Sequence, residues 1–242
     1  RWWISLSRYS NDMNIAIIPA RGGSQRIPRK NIKMFHGKPL IAYSIEAAKA
    51  SGCFKKIIVS TDDDEISEVA QEWGAEVPFL RPSNLADNFS TTLEVMQHAV
   101  EWCISSNIDA KNICCIYATA PFLLPEYLKK GLQNLINKKA QYSFSATSFT
   151  YPIQRAIKLD GNGFVEMFNP ENINTRSQDL EEAYHDAGQF YWGRANAFLN
   201  KLPLFSEHSS AILLPRDRVQ DIDTLEDWEF AEALYKAINI KK

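Results

Sequence analysis

Short apolar runs alternate with helical patterns along the first 140 residues of the chain. Residues 14–19, 57–60 and 112–117 are predicted to be buried strands, because they are short, apolar and bounded by turn-forming residues. Apolar positions at helical spacing predict helices at residues 39–52, 63–73, 91–104 and 125–137. Strands that are apolar on both faces and alternate with helices predict an α/β fold with a mostly parallel sheet covered on both sides.

Residues at the ends of these helices agree with the predicted boundaries. Gly52 and Gly74 follow the last apolar positions of the first two helices, and Pro125 stands at the start of the fourth. Ser90 or Thr91 can cap the third helix.

The pattern changes after residue 141. Residues 142–147, 151–158, 164–167 and 189–192 form short extended pieces separated by Gly, Asn and Pro. They predict a small antiparallel or irregular excursion inserted into the α/β domain. The chain then closes with an amphipathic helix at residues 224–238, whose first turn carries Glu226 and Asp227.

The N-terminal 12 residues stand outside this pattern. They are rich in aromatic residues and precede Met13, which resembles a natural start. We therefore interpret residues 1–12 as an extension without a catalytic role and residues 13–242 as the functional domain.

Composition narrows the class of protein. The chain has 242 residues, 45% of them hydrophobic, and a net charge of -2, which favours neither nucleic acid nor a membrane surface as a partner. No apolar run approaches the roughly 18 residues of a membrane-spanning helix. The four cysteines show no C-x-x-C spacing and fall in apolar segments, so we expect core thiols and a cytoplasmic protein.

Positive charge is concentrated just after the first strand, in the sequence I-I-P-A-R-G-G-S-Q-R-I-P-R-K-N at residues 17–31. Residues 13–44 contain no Asp or Glu. The same stretch contains six cations: Arg21, Arg26, Arg29, Lys30, Lys33 and Lys38. Because parallel sheets bind ligands at the carboxyl ends of their strands, this loop predicts a site for a small polyphosphate.

The loop is neither a P-loop nor a dinucleotide fingerprint, since both of those motifs have different glycine spacings. Gly22 and Gly23 would let the backbone approach a phosphate closely, with Arg21 and Lys30 on either side. The alternative is a solvated basic turn.

A pair of carboxylates, Asp221 and Asp223, stands near the C-terminus in V-Q-D-I-D-T. Residues i and i+2 of an extended segment project to the same side, so both can reach one Mg²⁺ ion. One alternative is a helix N-terminus capped by Asp223 or Thr224. The string D-x-D-x-T also matches the nucleophile motif of aspartyl-phosphate phosphatases, which carry it after their first strand rather than near the C-terminus.

Three further features follow predicted strands. The sequence S-T-D-D at residues 60–63 can bind a ribose or, the favoured role for Asp62 or Asp63, cap the next helix. Small residues in Y-A-T-A-P at residues 117–121 leave room for a base or a sugar beside the backbone. Arg81 is an isolated cation for which a surface salt bridge is the plain explanation.

Together these motifs resemble the CMP-sialic acid synthetases, or acylneuraminate cytidylyltransferases. The basic loop matches the signature of that family nearly throughout, I-V-S-T-D-D its second block and D-I-D its metal block. The resemblance implies transfer of CMP from CTP to the anomeric hydroxyl of a nonulosonic acid, a nine-carbon 2-keto sugar acid, with release of pyrophosphate. The CMP-activated sugar would serve surface glycan or flagellin glycosylation.

The resemblance also implies a fold and an assembly. The expected fold is Rossmann-like, the three-layer nucleotidyltransferase fold, with a small inserted dimerisation region at about residues 142–188. The expected assembly is a homodimer.

The resemblance assigns roles to individual residues. Arg21 and Lys30 would hold the triphosphate and, with Asp221, serve catalysis, while Asp221 and Asp223 would coordinate Mg²⁺. The implied nucleotide site comprises Ala20, Arg21, Gly22, Gly23, Ser24, Lys30, Asn31 and Arg81. This chemistry needs positioning and electrostatics rather than a protein nucleophile.

The choice of sugar depends on two departures from the usual sialate pattern. Tyr117 replaces a glutamine of Q-P-T-S-P, and the acidic Q-G-D-E-P of the enzymes for Kdo, the related eight-carbon acid, is absent. The segment Y-H-D-A-G-Q-F-Y-W-G at residues 184–193 resembles the pseudaminic acid enzymes. Pseudaminic acid is therefore the favoured acceptor, with N-acetylneuraminic and legionaminic acids as alternatives.

Tyr117, Gln189 and Tyr191 are the candidate sugar contacts, although aromatic residues in a strand are more often core residues. Two other classes remain open. One is an aspartyl-phosphate phosphatase, and the other is a protein that binds CTP without turning it over.

Overall fold

The computed structural model describes residues 14–240, so the predicted extension at residues 1–12 lies outside the described residues. The strands are β1 (Asn14–Pro19), β2 (Met34–Phe35), β3 (Lys38–Pro39), β4 (Lys56–Ser60), β5 (Asn112–Ile116), β6 (Tyr142–Ser148), β7 (Ile157–Leu159), β8 (Val165–Met167), β9 (Tyr184–Arg194) and β10 (Ser209–Leu213). The α-helices are α1 (Leu40–Ser51), α2 (Asp64–Glu72), α3 (Thr92–Ser105), α4 (Pro125–Asn137), α5 (Ala195–Leu199) and α6 (Leu225–Ile240).

Six strands form one central sheet in the order β10-β6-β9-β5-β1-β4. The pairs β1–β4, β1–β5 and β6–β10 are parallel, whereas β9 runs antiparallel to both β5 and β6. The predicted mostly parallel α/β fold is therefore confirmed.

The sheet separates two apolar layers because side chains of a strand alternate between its faces. Ala16 and Ile18 of β1 face the cluster that contains α1 and α4 residues, whereas Ile15 and Ile17 face the cluster that contains α3 and α5 residues. All four of these side chains are fully buried. The continuous apolar run that predicted a strand covered on both sides is thus explained by helices on both faces of the sheet.

Helix α4 packs very closely on β9. A Cβ atom added to Gly131 would lie 2.6 Å from Cε2 of Phe190 and 2.8 Å from Cδ1 of Trp192, and both rings are fully buried. Glycine within a helix costs about 1 kcal/mol relative to alanine, so close approach to the sheet accounts for its presence here.

The excursion predicted at residues 142–188 is smaller than the sequence indicates. Residues 142–147 belong to β6, and residues 189–192 belong to β9, so both are strands of the central sheet. The apolar alternation of β9 is interrupted at Gly188, whose φ of +61° and the shifted register against β6 mark a bulge. That interruption explains why the sequence pattern suggested separate short pieces.

The segment that does lie outside the central sheet covers residues 149–183 and contains the β7–β8 hairpin. Its role in dimerisation stays a prediction. Strand β10 and helix α5 were not predicted from the sequence.

The helix ends agree with the predicted signals. Thr91 caps α3 in a capping box with Glu94, Asp63 caps α2, and Gly52 ends α1 with φ +62°. All four cysteines are buried free thiols, as expected. None of the helices within residues 14–240 combines the length and apolar character that crossing a bilayer requires.

A third apolar cluster fixes the C-terminal segment against the basic loop. Ile27 and Phe35 pack there with Ile222 and with Trp228 of α6. Ile222 is fully buried, so the two aspartates beside it are held next to the loop that follows β1.

Candidate active site

A cleft of about 590 Å³ opens at the carboxyl ends of β1 and β5. Five of the predicted nucleotide-site residues line it: Arg21, Ser24, Lys30, Asn31 and Arg81. Sequence reasoning missed other lining residues, among them Gln25, Arg26, Asn88, Ser90 and Thr92. Arg26 was visible as part of the basic loop, whereas the loop at residues 83–90 has one charged residue, Asp87, and no glycine to set it apart.

The cleft is strongly cationic. Arg21, Arg26, Lys30 and Arg81 line it, and Asp223 is the one carboxylate among the described lining residues. Such an excess of positive charge in a concave site attracts a polyphosphate.

The other three cations of the basic loop stabilise the loop itself. Arg29 makes a bidentate pair with Asp63, with N–O distances of 2.5 and 2.8 Å. Lys33 Nζ lies 4.9 Å from the ring centroid of Trp228, and Lys38 pairs with Glu46. The charge cluster seen in the sequence is therefore divided between holding the loop and lining the cleft.

Arg81 is buried, with only 6% of its surface exposed. Its Nε donates to the Ser60 hydroxyl at 3.1 Å, and a second guanidinium nitrogen donates to the Ser60 carbonyl. Burial lowers the pKa of Arg81 to about 10, so it stays charged at neutral pH. The plain explanation of a surface salt bridge is wrong, because the side chain is fixed inside the site.

The glycines act differently from the sequence-based expectation. A Cβ on Gly22 would lie 2.5 Å from Oδ2 of Asp63, and its N–H already donates to Oδ1 of Asp62 at 2.9 Å. Gly22, Gly23 and Ala20 are not among the residues that line the cleft. Glycine at position 22 thus allows close packing of the loop on the end of β4, and its N–H is not directed at a ligand.

Asp63 and Asn31 both fix the basic loop, Asp63 through Arg29 and Asn31 through Arg21. The Asp63 carboxylate also accepts the N–H of Ile66 at 3.0 Å, which confirms the capping role. Asn31 Nδ2 donates to the Arg21 carbonyl at 2.9 Å. Arg21 in turn donates through Nη1 to the Asp87 carbonyl.

The C-terminal carboxylates meet the basic loop directly. Lys30 Nζ lies 3.2 Å from Asp223 Oδ1 and 2.5 Å from the Ile222 carbonyl, and Arg26 Nη2 lies 3.0 Å from Asp223 Oδ2. Burial and the neighbouring Asp223 raise the pKa of Asp221.

Thr224, one of the two predicted capping candidates, caps α6 together with Asp227. The Asp227 carboxylate accepts the N–H of Thr224 at 2.7 Å, and the Thr224 hydroxyl accepts the N–H of Asp227 at 3.2 Å. The Asp223 side chain therefore faces the cleft instead of capping α6.

A second cavity of about 580 Å³ adjoins the cleft; we call it the adjoining cavity. Tyr117 lines both spaces, whereas Asp223 lines the cleft and Asp221 lines the adjoining cavity. Two binding spaces thus meet at Tyr117 and the carboxylate pair, an arrangement suited to two substrates that react at their junction.

Two of the three predicted sugar contacts line the adjoining cavity. Tyr117 and Tyr191 line the adjoining cavity, but Gln189 does not. Gln189 is buried, and its Nε2 donates to the Arg218 carbonyl at 2.5 Å. Sequence reasoning did not single out His185 and Asp186, which line the cavity; their place just before the predicted strand at residues 189–192 was the available signal.

The sheet, the cationic cleft and the adjoining carboxylate pair define an α/β enzyme of the nucleotidyltransferase class. The chain belongs to the cytidylyltransferase family, whose model matches residues 15–238. The family membership and enzyme class expected from the sequence are therefore confirmed.

Individual relatives cover nearly the whole chain. The pseudaminic acid cytidylyltransferase of Campylobacter jejuni is 51% identical over 223 residues, which are 92% of this chain and 96% of the relative. The CMP-N,N'-diacetyllegionaminic acid synthase of Legionella pneumophila is 32% identical over 91% of this chain and 95% of the relative.

A solved structure confirms the shared fold. The structure of CMP:2-keto-3-deoxy-manno-octonic acid synthetase complexed with CTP has a TM-score of 0.66 and 17% identity, over 93% of this chain and 98% of that chain.

The pair of Arg29 and Asp63 predicts a pH-dependent stability. Because Arg29 lowers the pKa of Asp63 below its ordinary 3.8, the pair stabilises the fold fully above that pH, and the contribution is lost as pH falls through the lowered pKa. Asp63→Asn keeps a helix cap but loses the ion pair, so we expect about 1–2 kcal/mol less stability at pH 7 and a shrinking difference below pH ~4. Urea unfolding across pH measures this.

Asp64→Asn, in the same helical turn, is the matched control and should show a smaller effect. A difference between wild type and Asp63→Asn that stays constant from pH 7 to pH ~3 would contradict the assignment.

Proposed function

We propose that the enzyme transfers CMP from CTP to the anomeric hydroxyl of pseudaminic acid and releases pyrophosphate. The observation that carries the proposal is 51% identity, over nearly the full length of both chains, to a pseudaminic acid cytidylyltransferase. The meeting of two binding spaces at Tyr117 and the aspartate pair supports it.

CTP occupies the cationic cleft in this proposal. Arg21, Lys30 and Arg81 hold the triphosphate, and the fixed positive charge stabilises the negative charge that develops on the leaving pyrophosphate. The burial of Arg81 against Ser60 fixes one of these charges before the ligand binds. Ser24 and Asn31 complete the nucleotide site.

Mg²⁺ is the proposed cofactor. Among the described residues no group of three or more His, Cys, Asp or Glu side chains could hold a metal ion, but the pair Asp221 and Asp223 provides carboxylate oxygens where the cleft and the adjoining cavity meet. Mg²⁺ commonly binds one or two carboxylates together with substrate phosphates and water, so the donor set fits. When bound, it supplies charge neutralisation at the α-phosphate and a lower pKa of the attacking hydroxyl.

The acceptor sugar occupies the adjoining cavity, with its anomeric hydroxyl at the junction with the cleft. The hydroxyl loses its proton to water as its oxygen attacks the α-phosphorus of CTP, and the bond from that phosphorus to the bridging oxygen breaks, with its electron pair leaving on pyrophosphate. Tyr117 lines both spaces and therefore contacts both substrates. Holding the two reactants at one junction supplies much of the catalysis.

The acceptor is tested by measuring pyrophosphate release with CTP and, in turn, pseudaminic, legionaminic, N-acetylneuraminic and Kdo acceptors. We expect the highest kcat/KM with pseudaminic acid and no release without an acceptor. Preference for another acceptor would contradict the proposed sugar. Phosphate release from simple phosphomonoesters would favour the phosphatase, and tight CTP binding without turnover would favour the non-catalytic protein.

Two nearby lysines, Lys30 in the basic loop and Lys33 just after it, give a matched test of the triphosphate site. Lys30 contacts Asp223 in the cleft, whereas Lys33 lies over Trp228 and does not line the cleft. We expect Lys30→Ala to lower kcat by about 10²–10³-fold and Lys33→Ala to change it by less than about threefold. Equal kcat values for the two variants in steady-state pyrophosphate assays would contradict the role of Lys30.

We also propose that the enzyme is a homodimer formed through residues 149–183. Large apolar side chains are exposed on this segment, including Tyr151 with 80% and Phe164 with 74% of its surface accessible. Further exposed members are Leu159, Val165, Phe168 and Ile173. An apolar patch of this kind fits a second copy of the chain.

Phe164→Glu should therefore convert a dimer into a monomer, because a charge would be buried in the interface. Light scattering after size-exclusion chromatography measures the mass. Ile104→Glu, at an exposed apolar position on α3, is the control and should stay dimeric. A monomeric wild type, or a dimeric Phe164→Glu variant, would contradict the proposal.

We place the enzyme in the cytoplasm, where CTP is available. Its four buried free thiols are consistent with a reducing compartment.

A further inference from the structure

Asp186 is held at a bulge of β9 beside the adjoining cavity. Phe144 of β6 pairs with Tyr191 of β9, but Ala146, two residues further along β6, pairs with Asp186, so the residues of β9 between Asp186 and Tyr191 have no strand-pairing partner on β6. Residues five apart on a regular strand face opposite sides, but this bulge brings Asp186 and Tyr191 into contact. Asp186 Oδ1 accepts the N–H of Gly188 at 2.9 Å, and Oδ2 accepts the Tyr191 hydroxyl.

The contact with Asp186 fixes where the proton of Tyr191 points. A carboxylate only accepts hydrogen bonds, so Tyr191 must donate its single hydroxyl proton to Asp186. The Tyr191 oxygen is then left as an acceptor. Burial raises the pKa of Tyr191, which keeps the phenol protonated at neutral pH.

The direction of the hydrogen bond at Tyr191 also determines the direction at Tyr117. Its ring centroid lies 5.4 Å from that of Tyr191, and its hydroxyl lies 3.2 Å from Oγ1 of Thr92. The Tyr191 hydroxyl has no second proton to give, so a hydrogen bond between the two phenols is donated by Tyr117, and Thr92 is then the donor to Tyr117. Thr92 lines the cleft, so this chain of polar groups runs from the adjoining cavity into the CTP site.

We propose that Asp186 sets the direction of these hydrogen bonds. The wall formed by Asp186, Tyr191 and Tyr117 then presents hydrogen-bond acceptors to the sugar. An acceptor wall selects a substituent that donates, such as the N–H of an acylamino group, over one that only accepts. Asp186 is thus a specificity-determining residue. The inference rests on the proposed function, because it concerns the acceptor of that reaction.

Charge at the cavity wall supports the same selection. The described residues that line the cavity include two carboxylates, Asp186 and Asp221, and no Lys or Arg. A sugar acid placed with its own carboxylate against Asp186 would be repelled, which disfavours that orientation. The donor substituents of the sugar therefore face Asp186.

Asp186→Asn tests the polarity at nearly constant size. If the Asn Oδ1 keeps the Gly188 N–H, its NH₂ group donates to Tyr191 and reverses the chain of hydrogen bonds. We expect the KM of the acceptor to rise at least roughly tenfold, with the KM of CTP within about twofold of wild type. Preference for acylamino acceptors over analogues with methoxy groups at the same carbons, which accept hydrogen bonds but cannot donate them, should fall by a similar factor.

Tyr191→Phe is the second variant, since it removes the hydroxyl and keeps the ring. It should also raise the KM of the acceptor without affecting that of CTP. Asp109→Asn makes the same chemical change at an exposed position outside both binding spaces and should leave all these constants unchanged. Thermal unfolding of each variant separates lost recognition from lost folding.

The outcomes separate the two proposals. A wild-type enzyme that releases no pyrophosphate with any acceptor overturns the proposed function and this inference with it. An active wild type, combined with unchanged acceptor KM and preference in Asp186→Asn and Tyr191→Phe, overturns the inference alone. Parallel rises in both KM values with a lower melting temperature would show a structural role and also overturn it.

Discussion

The contact between the basic loop and the segment before α6 is the interaction on which the site depends. Lys30 and Asp223 are 193 positions apart in the chain, and they meet because Ile222 is buried against Ile27 and Trp228. Burial of Ile222 also orients the two aspartates beside it. In an extended segment, neighbours of a buried side chain point to the opposite side, so Asp221 and Asp223 are directed away from the apolar cluster. Without the burial of Ile222, nothing would hold Asp223 beside Lys30.

The two functions of the loop cations follow from the same geometry. The six cations of residues 13–44 would repel one another if all of them faced one space. Arg29, Lys33 and Lys38 instead find partners on α2, α6 and α1, and each of these contacts fixes the loop to a helix. The remaining cations then line the cleft on a rigid support, which suits catalysis that depends on preorganised charge.

Much of this organisation was predictable from the sequence, because it depends on local patterns. Apolar strands, helix caps such as Thr91 and Asp63, and the two charged motifs each carry their own signal. What failed depends on contacts between distant residues. The role of Gly22 follows from Asp63 on another strand end, the burial of Gln189 from the Arg218 carbonyl, and the continuity of β9 from its two neighbours in the sheet.

The wall that Tyr117 contributes to both binding spaces limits how the enzyme can diverge. A replacement at this position alters the nucleotide cleft and the adjoining cavity together, so a new acceptor preference acquired here carries a cost in the handling of CTP. Replacements at His185 and Gln220, which line the adjoining cavity and not the cleft, affect one space only. Duplicated genes are therefore expected to change their sugar through those positions first and to retain the residue at 117 within a lineage.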